Sequence, residues 1–268
     1  MKKINLALIT LGLISITAQA QKSKKYSEIH YKDISVESED VTITTNNGFS
    51  NKELTKFKLK LINKTGDILM YKPEESTLKV SGKEFKPKEK TLLVYPGESD
   101  FRVVNYLSPD FLVPNYSYLV SGIYKITLNG TTQEAAEFKL PASQNDFKAG
   151  NFNCTMTSLT KETDKTKAEF ECTYVGSKIG VINPGKAAVK MPDGTEIANE
   201  KKSSSPIVMT KGKSEKITFK WNRMEGGKST DMQKVTMMIL FRNTFTEADP
   251  VKCKEETIEF AIDEALSK

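Results

Sequence analysis

The chain has 268 residues, with 40 Lys plus Arg against 34 Asp plus Glu, one His, three Cys and one Trp, a size of one or two domains at roughly 100–200 residues each. Hydrophobic residues at 38% and charged residues at 28% suffice to bury a core and exclude collagen-like, disulfide-scaffold and low-complexity classes. The single His excludes every two-histidine arrangement and most zinc sites.

Lys2 and Lys3, the apolar run from Ile4 to Ile16 and the triplet Ala18-Gln19-Ala20 make the tripartite pattern of a bacterial-type signal peptide, residues 1–20, with an A-x-A cleavage site. The run is shorter than the ~20 apolar residues of a spanning helix. No later stretch reaches that length, and no Cys follows Ala20 to take a lipid. The expected product is exported, to a periplasm or outside the cell, without a transmembrane segment. Loss of Lys2 and Lys3 lowers the formal charge from +6 to +4. Residues 21–27 then form a basic spacer. Further on, Lys58 and Lys60 alternate with Phe57, Leu59 and Leu61, which sends the lysines to the solvent side of a strand. The denser groups, Lys83 to Lys90 and Lys211 to Lys220, are interleaved with Glu. No clustered basic face of the kind that binds nucleic acid is therefore expected.

After the spacer, alternation of apolar and polar residues marks one short strand after another. Val41 to Thr45 follows the acidic stretch Glu37-Ser38-Glu39-Asp40. Inward-facing sets then recur: Phe57, Leu59, Leu61; Ala136, Phe138, Leu140; Phe152, Cys154, Met156; Phe170, Cys172, Tyr174; Ile217, Phe219, Trp221; and Ile258, Phe260, Ile262. Val235 to Phe241, apolar on both faces, reads as a central strand. Turn signals separate these runs, among them Ser81-Gly82, Pro96-Gly97, Asn129-Gly130, Asp193-Gly194 and Lys211-Gly212. Ala261 to Leu266 also accommodates a short helix. Strands at this spacing predict an all-β fold of sandwiches or barrels.

The chain also repeats itself. FKLKLINKTGD (57–67), TLKVSGKEFKPKEK (77–90) and YPGESDFRVVNY (95–106) are followed in the same order by AEFECTYVGSK (168–178), AAVKMPDGTEIANEK (187–201) and TKGKSEKITFKW (210–221). Gly82 aligns with Gly194 and Gly97 with Gly212. A duplicated β-sandwich module is expected, with one domain at 28–140, a second at 141–268 and the boundary in the loop Pro141 to Gly150. The pattern resembles the tandem immunoglobulin-like domains of secreted bacterial proteins, which implies two such sandwiches over nearly all of the mature chain. The Cys…Trp…Cys order of antibody domains is absent, since Trp221 falls between Cys172 and Cys253. Usher-pathway pilus chaperones also combine two immunoglobulin-like domains with a basic pI, but their patterns occur in neither half.

An odd cysteine count in an exported chain predicts one bridge and one free thiol, or an intermolecular pair. Pairing Phe152 with Tyr174 and Met156 with Phe170 sets Cys154 directly opposite Cys172. Such a site admits a bridge where Cα atoms are ~4.5 Å apart. Cys253, at the start of the last strand, is expected at the same end of the second domain, so its pairing with either of the others stays open.

His30, in Glu28-Ile29-His30-Tyr31, reads as a surface or edge residue rather than a base. The sequence has no phosphate loop, G-x-S-x-G elbow or metal-ligand cluster, and no catalytic residue, cofactor or metal is assigned. Carboxylates alone would serve a glycosidase-type hydrolase or an accessory domain of one, and Glu37 to Asp40 suits either a solvated loop or a calcium loop. Tyr106 to Tyr118 gathers aromatic and aliphatic residues around Pro109 and Pro114. Its rings either plug the end of the domain or offer flat faces to a glycan or a partner protein, and the second reading makes Phe111, Tyr116 and Tyr118 the candidate binding residues. The expected function is a non-catalytic exported interaction module for a protein or surface polysaccharide. A carboxylate-based hydrolase and a periplasmic chaperone-like protein are the alternatives.

Overall fold

The computed structural model describes residues 26–107, 111–200, 205–223 and 231–268. The expected signal peptide and most of the basic spacer lie outside the described residues. The fold is all-β, and its only helical pieces among the described residues are 3₁₀ turns at Pro73–Glu75, Pro184–Lys186 and Arg242–Thr244. Ala261 to Leu266 holds a strand end and a turn.

The strands fall into four groups. First come β1 (Ile29–Tyr31), β2 (Ile34–Glu37), β3 (Val41–Ser50), β4 (Leu54–Asn63), β5 (Ile68–Tyr71), β6 (Thr77–Val80), β7 (Lys83–Phe85), β8 (Leu92–Val94), β9 (Ser99–Leu107), β10 (Asn115–Val120) and β11 (Ile123–Ile126). A short pair follows, β12 (Thr131–Thr132) and β13 (Phe138–Leu140). The second half supplies β14 (Asp146–Ala149), β15 (Phe152–Lys161), β16 (Lys165–Tyr174), β17 (Ile179–Ile182), β18 (Ala188–Lys190), β19 (Glu196–Ala198), β20 (Ile207–Met209), β21 (Ser214–Asn222), β22 (Met237–Leu240) and β23 (Phe245–Ala248). Another short pair, β24 (Val251–Lys252) and β25 (Glu256–Ala261), comes last.

Every sheet of one half has a counterpart in the other. The long sheet β1-β3-β4-β9, with β2 also on β3, matches β14-β15-β16-β21. The sheet β25-β10-β6-β7 matches β13-β22-β18-β19, and β24-β11-β5-β8 matches β12-β23-β17-β20. Strands β3, β4 and β5 and the turn Pro73–Glu75 recur 111 residues later as β15, β16, β17 and Pro184–Lys186. Gly82 and Gly194 (φ +76° and +87°), like Gly97 and Gly212 (φ +71° and +80°), occupy matching turns in the left-handed region, where a residue with a Cβ is strained. The expected central strand is β22, held between β13 and β18.

Alternation places the cores. In β4, Thr55, Phe57, Leu59 and Leu61 point inward while Lys56, Lys58 and Lys60 point out, as a two-residue period requires. The first core joins Phe57, Tyr71, Tyr118 and Phe260, and the second joins Phe152, Phe170, Phe219, Trp221 and Phe245. A third, smaller cluster of Ile68, Met70, Ile126, Ile179, Val181, Val208 and Ala248 draws on both halves.

The pairing of the short strands corrects the boundary expected after Leu140. Thr131–Thr132 pairs with β23 and Phe138–Leu140 with β22, so both belong with the second half. Val251–Lys252 pairs with β11 and Glu256–Ala261 with β10, so the last strands belong with the first half. The halves thus exchange their final strand pairs. Ser27 N–H donates to the carbonyl of Lys268 at 2.7 Å, which closes the first half at both chain ends. Cys253 consequently lies in the first core, not at an end of the second half.

Ile258 and Phe260 are each buried to within 2%, and burying such side chains is worth roughly 1.5–3 kcal/mol apiece. Their loss would take a large part of the ~5–15 kcal/mol that holds a domain together. A chain ending at Pro250 is expected to lose hydrogen-exchange protection in β4, β6, β10 and β11 while β15, β16, β22 and β23 keep theirs. Loss in the second set with retention in the first would contradict the exchange.

Candidate functional site: the outer face of the first long sheet

Of the two readings open for Phe111, Tyr116 and Tyr118, the structure shows the one that makes them core. Phe111, Tyr116 and Tyr118 are 1%, 5% and 0% exposed. Tyr116 and Tyr118 alternate inward along β10, stacking on Phe260 (4.5 Å between ring centroids) and meeting Phe57 edge-on (5.1 Å). Tyr71 Oη bonds both Tyr118 Oη and Ser76 Oγ at 2.9 Å. Residues 108–110 of that segment, including Pro109, lie outside the described residues. These rings plug the fold because β10 is paired on both sides, with β6 and β25.

The cysteines divide as their register dictates. Cys154 and Cys172 are directly opposed on β15 and β16 and form the disulfide. Cys253 is a buried free thiol, and burial together with the nearby Asp40 carboxylate pushes it up to about 11. Asp40 itself accepts from Lys125 Nζ at 2.8 Å. At the matching place in the second half Asn151 Nδ2 and Tyr174 Oη both donate to Glu247 Oε1 at 2.7 Å. The end of the acidic stretch Glu37 to Asp40 is therefore a strut between strands. Among the described residues no cluster of His, Cys, Asp and Glu is placed to hold a metal ion. His30, on β1, rests edge-on against Phe49 at 5.3 Å.

The exposed chemistry lies on β9. Phe101, Val103 and Leu107 point outward and are 44%, 52% and 76% exposed. On neighbouring β4, Lys60 is registered opposite Phe101, Lys58 opposite Val103 and Lys56 opposite Asn105. Lys58 Nζ lies 4.0 Å from the centroid of Phe101, and Lys56 Nζ lies 5.6 Å from that of Phe49. The outer face of this sheet is a row of lysines beside a row of apolar side chains.

The duplicate shows what the fold alone asks of that surface. Registers equate Phe101, Val103, Asn105 and Leu107 with Lys216, Thr218, Lys220 and Asn222 on β21, and Lys56, Lys58 and Lys60 with Lys167, Glu169 and Glu171 on β16. There the charges neutralise one another: Lys167 pairs with Glu169, Lys165 with Glu162 at 3.0 Å and Lys220 with Glu200 at 2.6 Å. One face is a self-paired polar surface, the other apolar and positive.

A cleft of about 470 Å³ also opens where the halves meet, floored by Met70, Leu93 and Val208 and rimmed by Glu74, Glu89 and Lys213. Lys213 is already paired with Glu215 at 2.9 Å.

No protein-family model and no curated protein matches the sequence. Among solved structures the chain is similar to red sea bream transglutaminase, with a TM-score of 0.20 and 9% identity over 85% of this chain and 31% of that one. The chain thus spans about a third of that structure's length, and the likeness is too slight to argue from. No helix among the described residues is long and apolar enough to cross a membrane.

Buried phenols set the alkaline limit of the fold. Burial pushes Tyr31 and Tyr71 up to about 12 from an ordinary 10.0, and Cys253 up to about 11 from 9.0. Raised values favour the neutral forms, so the stability they contribute is complete below pH 9 and is lost as pH rises from 9 to 12. Each tyrosine is worth up to about 2–3 kcal/mol on this count. Urea midpoints are expected to be level from pH 7 to 9 and to fall from 9 to 12, with a shallower fall in Tyr71→Phe. A fall in Tyr71→Phe as steep as in the parent would contradict the share given to that buried phenol.

Proposed function

We propose that the protein is a non-catalytic, exported interaction module built of two immunoglobulin-like β-sandwich units, which holds a partner on the outer face of β4 and β9. The paired antiparallel sheets of each half, joined out of sequence order around an alternating core, support the immunoglobulin-like assignment. The tripartite N-terminal pattern and the Cys154–Cys172 bridge support export to an oxidising compartment.

The observation that carries the function is the inequality of the duplicated faces. The same sheet position in the second half accepts Lys216, Thr218, Lys220 and Asn222, so folding has no need of Phe101, Val103 and Leu107. Apolar side chains left in water along one face of a strand, on one copy alone, mark an interaction site.

Transplanting the second face onto the first, as F101K, V103T, N105K and L107N together, is expected to shift stability by less than about 0.5 kcal/mol per site. A photoreactive residue at position 103 is expected to yield one discrete adduct in the cells that make the protein, and none when placed at position 218. Equal labelling from both positions, or none from either, would overturn the reading, as would collapse of the transplanted variant.

A further inference from the structure

We infer that the occupant of this face is the flat face of an acidic β-sheet from another protein, carrying carboxylates at alternate positions of one strand beside an apolar row on the next. The inference rests on the proposed interaction function and names the chemistry of its partner. Alternate residues of a strand stand about 6.8 Å apart on one face, so Lys56, Lys58 and Lys60 form a ladder of ammoniums with the repeat of another strand's side chains. The two ammoniums with neighbours on this face lie over rings rather than beside carboxylates, Lys58 on Phe101 and Lys56 on Phe49. One strand spacing away, about 4.8 Å, runs the row of Phe101, Val103 and Leu107.

Two observations decide the mode of docking. The edge of β9 away from β4 is capped by side chains: Asp100 Oδ1 accepts from Phe101 N–H at 2.8 Å, and Glu89 Oε1, from the segment before β8, accepts from Asn105 N–H at 3.1 Å. Arg102 adds hydrogen bonds to the carbonyls of Lys90 (3.0 Å) and Thr91 (2.8 Å) in the adjoining segment. Strand addition along that edge is therefore obstructed, and the open surface is the face. The apolar row in turn favours a polypeptide over an acidic sugar chain. Val103 and Leu107 are branched aliphatics with no flat surface, and Phe101 is the one ring of the row, whereas sugar recognition needs open aromatic faces.

Purified full-length protein and a labelled two-stranded β-hairpin peptide that carries, on one face, Glu at alternate positions of one strand and Val at the facing positions of the other, followed by fluorescence anisotropy at pH 7.5, test the inference. Binding is expected, weakened about tenfold or more by K56E/K58E/K60E, as three exposed ion pairs would give. The same variant should bind the hairpin with Lys in place of Glu, a reciprocal gain that a misfolded protein would not show. F101K/V103T/L107N should also weaken the acidic peptide. If polygalacturonate binds through the lysines and neither the peptide nor the apolar variant matters, the polypeptide occupant is wrong while the interaction face stands. If nothing acidic binds but position 103 still forms its adduct in cells, the acidic chemistry is wrong and the proposed function survives. If both fail, both fall.

Discussion

The reciprocal crossing of the chain between its halves is the constraint on which the rest depends. Between Ile126 and Thr131 the chain leaves the first half, and between Ala248 and Val251 it returns. The outgoing passage runs so close to β23 that a Cβ on Gly130 would lie 2.3 Å from the carbonyl oxygen of Glu247. No side chain fits there without displacing backbone. Beneath the crossing, Ile68, Met70 and Ile126 pack with Ile179, Val181, Val208 and Ala248. Two covalent passages and a shared apolar cluster join the halves more firmly than a single linker, the usual arrangement between domains, would do.

Alternation made the longer strands legible, among them β4, β15, β16, β21 and β25, and the repeat was legible from its turns, since Gly82, Gly97, Gly194 and Gly212 all serve the same left-handed conformation. The exchange was not. Thr131 to Leu140 and Val251 to Phe260 carry the same inward pattern, Phe138 and Leu140 in one and Ile258 and Phe260 in the other. A two-residue period tells which face a side chain takes but not which neighbour the strand pairs with. Asn129-Gly130 reads as one turn signal among others, and Gly130 instead serves the close passage beside β23. Tyr116 and Tyr118 were left with two readings for a different reason. Two prolines suggested a loop, although Tyr116, Tyr118 and Val120 share one parity and all point inward.

The candidate face was half visible. Lysine alternation on β4 correctly placed Lys58 and Lys60 outward, and the match of Gly97 with Gly212 already aligns Phe101 with Lys216 and Val103 with Thr218. What composition hides is charge pairing. Lys167 finds Glu169 within its own strand, whereas Lys58 has a ring across the register, on β9, and that difference exists only once β4 and β9 are set side by side. A net charge of +6 for the chain averages one neutralised face with one that is not.

An apolar row on an edge strand is a hazard, since edges recruit other chains into aggregates. Here the hazard is limited on both sides of the strand. Asp100, Glu89 and Arg102 occupy the backbone edge, and the lysine ladder screens the face, with the Lys58 ammonium over Phe101 where another hydrophobic surface would otherwise settle. A cation over an exposed ring is held by about 0.5–1 kcal/mol, little enough for a carboxylate to draw it away. In the proposed complex Lys58 exchanges the ring for an acid and uncovers Phe101 in the same movement, so apolar contact follows only when the approaching surface carries the right charge. A neutral or basic apolar surface gains no such exchange, and the selectivity of the face then resides in its lysines while Phe101, Val103 and Leu107 supply the contact area.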